Sequence, residues 1–313
     1  MSDTSTPTMS GAARDERAGF LFVFLAALCW SLGGVIARFI EVADPWTAVF
    51  WRSFWAAAFL LGFMLWRDGV RGTVQLFRGM GLPGLAVALC LTVSTSFFVL
   101  ALAHTTVANI LLIQAGGPLM AALLSFVVLG VRVSGATWAA IAAVIVGVGV
   151  MVSGSIGSGM SFVGDGLALL IMIAFSVSTV LMRRFAHVRM TPATFLGVII
   201  AGAVAATQAE TLHVSPRDMG FLFAFGAINL GLALAFYAIG ARLIAPAYTA
   251  LLATFETLFG PIWVWLVHGE VPASRTVLGG AIVFAALMVH IAIEVRRMAR
   301  PNRPGVSGLP TPH

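Results

Sequence analysis

Glu256 is the residue of this sequence best placed for chemistry, because it is a carboxyl in the middle of a long apolar stretch. The other eleven of the 12 acidic residues fall in polar segments or at the ends of apolar stretches. A lone charge at the centre of a bilayer costs about 2.5–3.5 kcal/mol, so this group must be neutral, paired or facing a polar cavity. Glu256 is therefore a candidate for handling a proton or a substrate. A structural hydrogen bond to a neighbouring helix is an equally weighted interpretation.

Arg52 is the basic residue that lies deepest inside an apolar stretch. Trp51 adjoins it and Trp55 follows one helical turn later, which predicts that the guanidinium lies on an aromatic face. Arg52 and Glu256 together would suit a zwitterion, since each supplies one complementary charge. The alternative is that the Arg52 side chain extends along its own stem to the membrane surface.

Uncharged polar and aromatic residues at membrane depth complete the candidate set. Amides at this depth are more often hydrogen bonds between helices, worth roughly 0.6–2 kcal/mol, than substrate contacts. Trp30 lies near mid-span and either lines a pathway or packs, and Tyr237 is the deeper of the 2 tyrosines. The predicted substrate or proton pathway consists of Glu256, Arg52, Asn229, Gln114, Trp30, Tyr237 and Asn109.

The patterns that mark the common enzyme classes are missing from the sequence. All 18 basic residues are arginine, so the chain has neither the lysine of a P-loop nor that of a Schiff-base site. A zinc-protease His-Glu-x-x-His pattern is also missing, and His104 and His290 have no second ligand at metal spacing. We therefore expect a protein that is not an enzyme and has no cofactor and no metal site.

Ten apolar segments must position these residues. With 60% hydrophobic and 10% charged residues, the chain has too little polar surface for a soluble globule. Segments of about twenty apolar residues cross about 30 Å of hydrocarbon as helices. We predict an all-α membrane protein with ten transmembrane helices near residues 18–39, 46–66, 82–103, 107–130, 134–153, 166–185, 192–212, 219–241, 246–267 and 274–294.

The two halves of the chain repeat one another in sequence. Trp30-Ser31 matches Phe175-Ser176, and residues 127–130 match residues 266–269. Five helices per half is an odd number, so the second copy must be inverted, as in many secondary transporters. We predict a disordered N-terminus (1–17), a first five-helix repeat (18–153), a Gly/Ser linker (154–165), a second five-helix repeat (166–294) and a disordered basic tail (295–313).

The arginines predict the orientation in the membrane. Fourteen of them lie on one side if the N-terminus is cytoplasmic, whereas only Arg38, Arg217 and Arg275 lie near the outer face. The positive-inside rule therefore places both termini in the cytoplasm. The net charge of +6 reflects this topology and does not indicate nucleic-acid binding. The first seventeen residues lack an apolar core, so no cleaved signal is expected.

The chain resembles the drug/metabolite transporter superfamily, specifically the bacterial EamA-type members with ten helices, over about residues 18–294. The resemblance is carried by Trp30-Ser31, Arg52, the Pro118 to Gly130 spacing and residues 251–270. The family usually ends its fourth and ninth helices with Gly-Glu. Here the second copy has Gly269-Glu270, whereas Val131 replaces the glutamate in the first. The Glu-Pro pair of the family's ninth helix is Glu256-Thr257 here, with a proline at Pro261.

The resemblance implies a secondary active transporter of the bacterial inner membrane that exports a small metabolite, such as an amino acid or related zwitterion, by alternating access. Its partners would be the lipid bilayer and the substrate, with protons as a candidate coupling ion. The sequence leaves monomer and homodimer open. The alternative is a non-transporting sensor or assembly protein with a transporter-like fold. An accessible centre containing Glu256, Arg52 and Asn229 would favour transport, and a dry, packed centre would favour the alternative.

Overall fold

A computed structural model describes residues 9–130, 134–155, 160–185, 187–240, 243–244, 249 and 252–298. All regular secondary-structure elements in this part of the chain are helices, and they are joined by short loops. The helices are α1 (Met9–Ser31), α2 (Gly33–Ala37), α3 (Pro45–Gly79), α4 (Gly81–Leu102), α5 (Val107–Gln114), α6 (Gly117–Leu129), α7 (Gly135–Ser155), α8 (Met160–Arg184), α9 (Thr191–Gln208), α10 (Pro216–Phe223), a π-helix (Ala224–Leu232), α11 (Ala233–Gly240), α12 (Phe255–His268) and α13 (Ser274–Met298).

The predicted membrane spans are confirmed within the described residues, where 9 helical segments are long and apolar enough to cross a membrane. Helices α1 and α2 form the first span, α5 and α6 the fourth, and α10, the π-helix and α11 the eighth. Helix α12 is the later part of the predicted ninth span, and half of the first ten residues of that span fall outside the described part of the chain.

Four predicted boundaries differ from the observed helix ends. Helix α1 begins at Met9, within the segment expected to be disordered, because the alanine, arginine and glutamate residues that precede the first span favour helix. Helices α7 and α8 extend into the predicted linker from both sides, to Ser155 and from Met160. Helix α13 continues to Met298, a few residues into the predicted tail.

The two halves contact one another reciprocally, as inverted repeats require. The first span of each half packs on the third span of the other, α1 against α11 and α8 against α4. A Cβ added at Gly19 in α1 would lie 2.7 Å from Cγ2 of Ile244, and one added at Gly164 in α8 would lie 2.5 Å from Cβ of Thr105. These two contacts join equivalent residues at opposite ends of the bundle. We call these ends the Gly19 face and the Glu270 face.

Matching glycines end the fourth and ninth spans. Gly130 after α6 has φ 64°, and Gly269 after α12 has φ 67°. Both are left-handed helix caps, a conformation that glycine adopts without steric cost. The sequence match between residues 127–130 and 266–269 therefore corresponds to the same helix ending in both halves.

Several spans are interrupted near the middle of the bundle. The first span breaks at Leu32, the fourth at Ala115 and Gly116, and the ninth turns at Thr254 just before α12. The eighth span contains the nine-residue π-helix, a wider helix that is frequent at functional sites. Discontinuous helices form the binding sites of many secondary transporters. The residues around these interruptions are therefore candidates for a functional site.

Candidate functional site

Arg52 lies buried at the centre of the bundle, with 6% of its surface exposed. Its guanidinium carbon lies 4.3 Å from the ring centre of Phe225 and 5.4 Å from that of Phe98. One terminal nitrogen donates to the Thr95 carbonyl oxygen at 3.3 Å. The buried Nε has no hydrogen-bond partner in the protein. A side chain this enclosed does not extend to the membrane surface.

The aromatic partners of Arg52 differ from those predicted. The tryptophans of its own helix were expected to receive the guanidinium, but Trp55 donates its indole N–H to Met219 and packs on Phe223. The rings that cover Arg52 come instead from α4 and the π-helix. Helical spacing alone cannot show this, because which side chains touch depends on the direction in which each leaves the helix as well as on their spacing in the sequence.

The start of α3, which carries Arg52, is fixed by its capping residue. The Asp44 carboxylate accepts hydrogen bonds from the backbone N–H groups of Trp46 and Thr47, and Pro45 occupies the first turn. Burial raises the pKa of Asp44, but these bonds and one from the Glu210 N–H outweigh it, so the pKa lies below its ordinary value. An ionised cap stabilises the positive end of the helix that positions Arg52.

Glu256 lies in the first turn of α12, directly after the interruption at Thr254. It is deep in the molecule, yet part of its surface remains accessible. Glu256 and Arg52 are close enough to interact electrostatically, but they do not form an ion pair. The ion pairs of the described residues have N to O distances of 2.8–2.9 Å. The structure therefore brings two opposite charges together without joining them.

Gln114 of the fourth span lies on the same side of the contact between α5 and α12 as Glu256. Helices α5 and α12 run antiparallel, because the start of α5 meets the end of α12 through a hydrogen bond from the Val107 N–H to Glu270. Leu111 contacts Gly260 between the two helices, and Gln114 and Glu256 each lie one turn away from this contact on the same side. The Nε2 atom of Gln114 is buried and has no hydrogen-bond partner in the protein.

The two asparagines of the predicted pathway connect helices. Asn229 Nδ2 donates to the carbonyl oxygens of Cys29 at 2.8 Å and Trp30 at 3.0 Å, just before the break in the first span. Asn109 donates to the Asp165 carboxylate and accepts a hydrogen bond from Thr276 at 3.0 Å. These contacts agree with the structural interpretation of both amides.

Trp30 and Tyr237 form an aromatic pair between the first and eighth spans. Their ring centres lie 5.3 Å apart at an interplanar angle of 48°. Both side chains are partly exposed, and Trp30 directly follows Cys29, whose carbonyl Asn229 binds. The two residues predicted separately for the pathway thus lie together at the same helix interruption.

An ion pair on the Glu270 face was not predicted from the sequence. Arg38 Nε donates to Glu270 at 2.9 Å, and its terminal nitrogens donate to the carbonyl oxygens of Leu102 at 2.9 Å and Thr105 at 3.1 Å. The other Glu270 oxygen accepts from the Val107 N–H at 2.8 Å. The available signal was that Arg38 and the Gly-Glu ending both occur at span ends predicted to lie on one side.

Asp165 was also missed, because it is the last residue of the predicted Gly/Ser linker (154–165). It lies within α8 with 0% of its surface exposed, where Thr105 Oγ1 donates to it at 3.2 Å and Asn109 donates from its amide. The carboxylate on α8 thus holds the connection between α4 and α5 in place through these two hydrogen bonds.

The surface groove described on the Glu270 face contains none of the predicted pathway residues. It has a volume of about 420 Å³ and lies between the loops around residues 41–45 and 210–218. Among the described residues no group of three or more His, Cys, Asp or Glu side chains is arranged to hold a metal ion.

Comparisons with known proteins agree with this architecture. The sequence profile of the EamA-like transporter family matches residues 17–153 and again residues 162–292. A solved crystal structure superposes with a TM-score of 0.63 at 18% identity, over 91% of this chain and 99% of that one, which supports the fold alone. No curated protein matches the chain. Because the two profile matches together cover most of the sequence, the chain belongs to the EamA-like transporter family of membrane proteins.

Proposed function

We propose that this protein is a secondary active transporter that exports a small zwitterion, of the amino-acid type, across the bacterial inner membrane. Arg52 would bind the substrate carboxylate and Glu256 the ammonium group. Alternating access would expose this site first to the Gly19 face, taken as cytoplasmic together with both termini, and then to the Glu270 face.

The observation that carries the proposal is a set of central polar groups that the protein itself leaves unpaired. Arg52 Nε and Gln114 Nε2 are buried donors without partners, and Arg52 and Glu256 attract one another without forming an ion pair. A buried donor without a partner costs about 1–3 kcal/mol, and more when it is charged. Such groups are tolerated where a ligand completes their hydrogen bonds.

The coupling role is assigned to Glu256 because it is the one central acidic group that can exchange a proton with the site. A proton on Glu256 would compete with a substrate ammonium group for the same carboxylate. Inward proton movement and outward substrate movement would then alternate at one residue.

The test is counterflow exchange in proteoliposomes that contain the purified protein. Leucine, 3-methylbutylamine and 4-methylpentanoate share one side chain and differ in which charged group they carry, and a screen of the other amino acids extends the series. We expect an amino acid to exchange and its two truncated analogues to fail. Arg52→Gln should weaken binding of the amino acid about 10–150-fold, since hydrogen bonds to charged groups contribute about 1.5–3 kcal/mol.

The matched control is Glu41→Gln, which removes a carboxylate from an exposed ion pair with Arg217 on the Glu270 face. It should leave exchange unchanged. Equal exchange of all three leucine analogues, or no exchange of any amino acid, would refute the zwitterion proposal.

A further inference from the structure

The ion pair between Arg38 and Glu270 joins four spans at the Glu270 face. Arg38 follows α2 at the end of the first span, and its donors also reach the carbonyls that end α4 and precede α5. Glu270 follows α12 and accepts from the first N–H of α5. The side chains are 30% and 19% exposed, so the pair is only partly screened by solvent. We call this set of contacts the latch.

The inverted repeat shows what an equivalent latch on the Gly19 face would require. The sequence match of the two halves pairs Arg38 with Arg183, Glu270 with Val131, and Val107 with Pro246. The arginine is retained, but the carboxylate is replaced by an apolar side chain. The backbone donor is also lost, because proline has no N–H. At these matched positions, the sequence therefore supplies the carboxylate acceptor and the backbone N–H donor on the Glu270 face only.

Contacts near the two faces differ in the same way. Thr105 packs against Gly164 and donates to Asp165 on the Glu270 face. At the equivalent place on the Gly19 face, Ile244 packs against Gly19. The contact at Gly164 is accompanied by a charge-assisted bond, whereas the matched contact at Gly19 is apolar. The ion pair of Arg189 with Asp68, which lies on the Gly19 face, joins α3 to the segment before α9 and does not occupy the matched positions. Apolar packing between helices gains no hydrophobic driving force within a lipid bilayer, so it contributes through van der Waals contact alone.

We propose that the latch of Arg38 and Glu270 is a one-sided gate lock, which holds the Glu270 face closed and makes opening towards the Gly19 face the resting state. This inference rests on the alternating access of the proposed function. Opening of the Glu270 face requires the first and ninth spans to separate, which breaks the bond between Arg38 and Glu270. At the matched positions of the Gly19 face, Val131 and Pro246 supply neither the carboxylate nor the N–H that these bonds require.

The experiment measures access to the centre from each face. Cys29 and Cys90 are replaced by alanine, and a single cysteine is introduced at Gly117, which matches Glu256 in the other half and where an added Cβ has 3.7 Å to Ser176 Oγ. A membrane-impermeant, charged methanethiosulfonate is applied to intact cells and to inverted vesicles, which present opposite faces. In this background, Glu270→Gln should raise the labelling rate from the Glu270 face about tenfold and lower it from the Gly19 face.

Two further variants make the outcome decisive. Glu41→Gln, which breaks the exposed pair with Arg217 on the same face, should not change either rate. Val131→Glu, which introduces a carboxylate at the position that matches Glu270 in the sequence repeat, should shift labelling in the opposite direction to Glu270→Gln.

Labelling rates equal to those of Glu41→Gln in both latch variants would overturn the gate lock, even if exchange remained intact. A labelling response as expected, combined with no exchange of any amino acid, would overturn the proposed substrate class and leave the gate lock standing.

Discussion

The contributions of the Arg52 and Glu256 charges to the stability of the folded protein should depend on one another. This can be tested by removing the two charges singly and together. Arg52→Gln and Glu256→Gln keep approximate size and hydrogen-bonding capacity while each removes one charge. Either single change leaves the other charge buried without compensation. The double change leaves two neutral amides, so it should be less destabilising than the sum of the single changes.

The structure sets the size of this coupling. Two charges 4 Å apart at an effective dielectric constant of 20 attract one another by about 4 kcal/mol. Arg52 and Glu256 are near enough to interact but do not form an ion pair, so the coupling must lie below that value. Removal of one partner of a tight buried pair costs about 3–5 kcal/mol. For this looser pair we expect about 1–3 kcal/mol of non-additivity.

The assay is thermal unfolding of the purified protein in lipid nanodiscs, followed by intrinsic tryptophan fluorescence. The midpoint should fall in both single variants and partly recover in the double variant. The exposed pair of Glu41 and Arg217, with side chains 70% and 61% exposed, provides a control cycle that should be additive. Strict additivity for Arg52 and Glu256 would show that the two charges do not act on one another, and the zwitterion site would lose its basis.

Two further changes test the helix contacts that support the site. Asn229→Leu should lower the midpoint by an amount equivalent to about 1–2 kcal/mol, because the carbonyls at the first-span break lose their donor; an unchanged midpoint would assign those carbonyls other partners. Gly279→Ala should destabilise by about 1–3 kcal/mol, because its methyl group would collide with the Gly147 carbonyl oxygen where α7 and α13 cross. Gly149→Ala, with no atom within 4 Å of the added Cβ, is the control, and equal effects of the two alanine changes would contradict this crossing.

The spans and their duplication were predictable because both depend on local sequence. About twenty apolar residues per span and a repeated order of short matches are visible along the chain, and the glycine caps at Gly130 and Gly269 fall at the matched positions. The central location of Arg52 and Glu256 was predictable for a similar reason, since the energetic cost of charge in hydrocarbon does not depend on the fold.

The partners of those charges were not predictable, because they come from distant segments. The rings over Arg52 lie on α4 and the π-helix, and the partner of Arg38 is 232 residues away in the chain. A single sequence contains no signal for which faces of two apolar helices meet. The interruption at Leu32 was missed because no proline marks it, whereas the one at Ala115 and Gly116 had a signal in Pro118, which occupies the first turn of α6.

The bonds from Asn229 to the first span have a consequence for how the protein is made. Asn229 lies 200 residues after Cys29, and ribosomes add about 5–20 residues per second. The first span therefore exists for about 10–40 s before its carbonyls at the break can meet their donor. During that interval the break lacks the bonds that hold it in the finished protein. The hydrogen bonds that Asn229 gives to the first span are thus a late product of synthesis, formed only when the eighth span enters the bilayer and docks beside it.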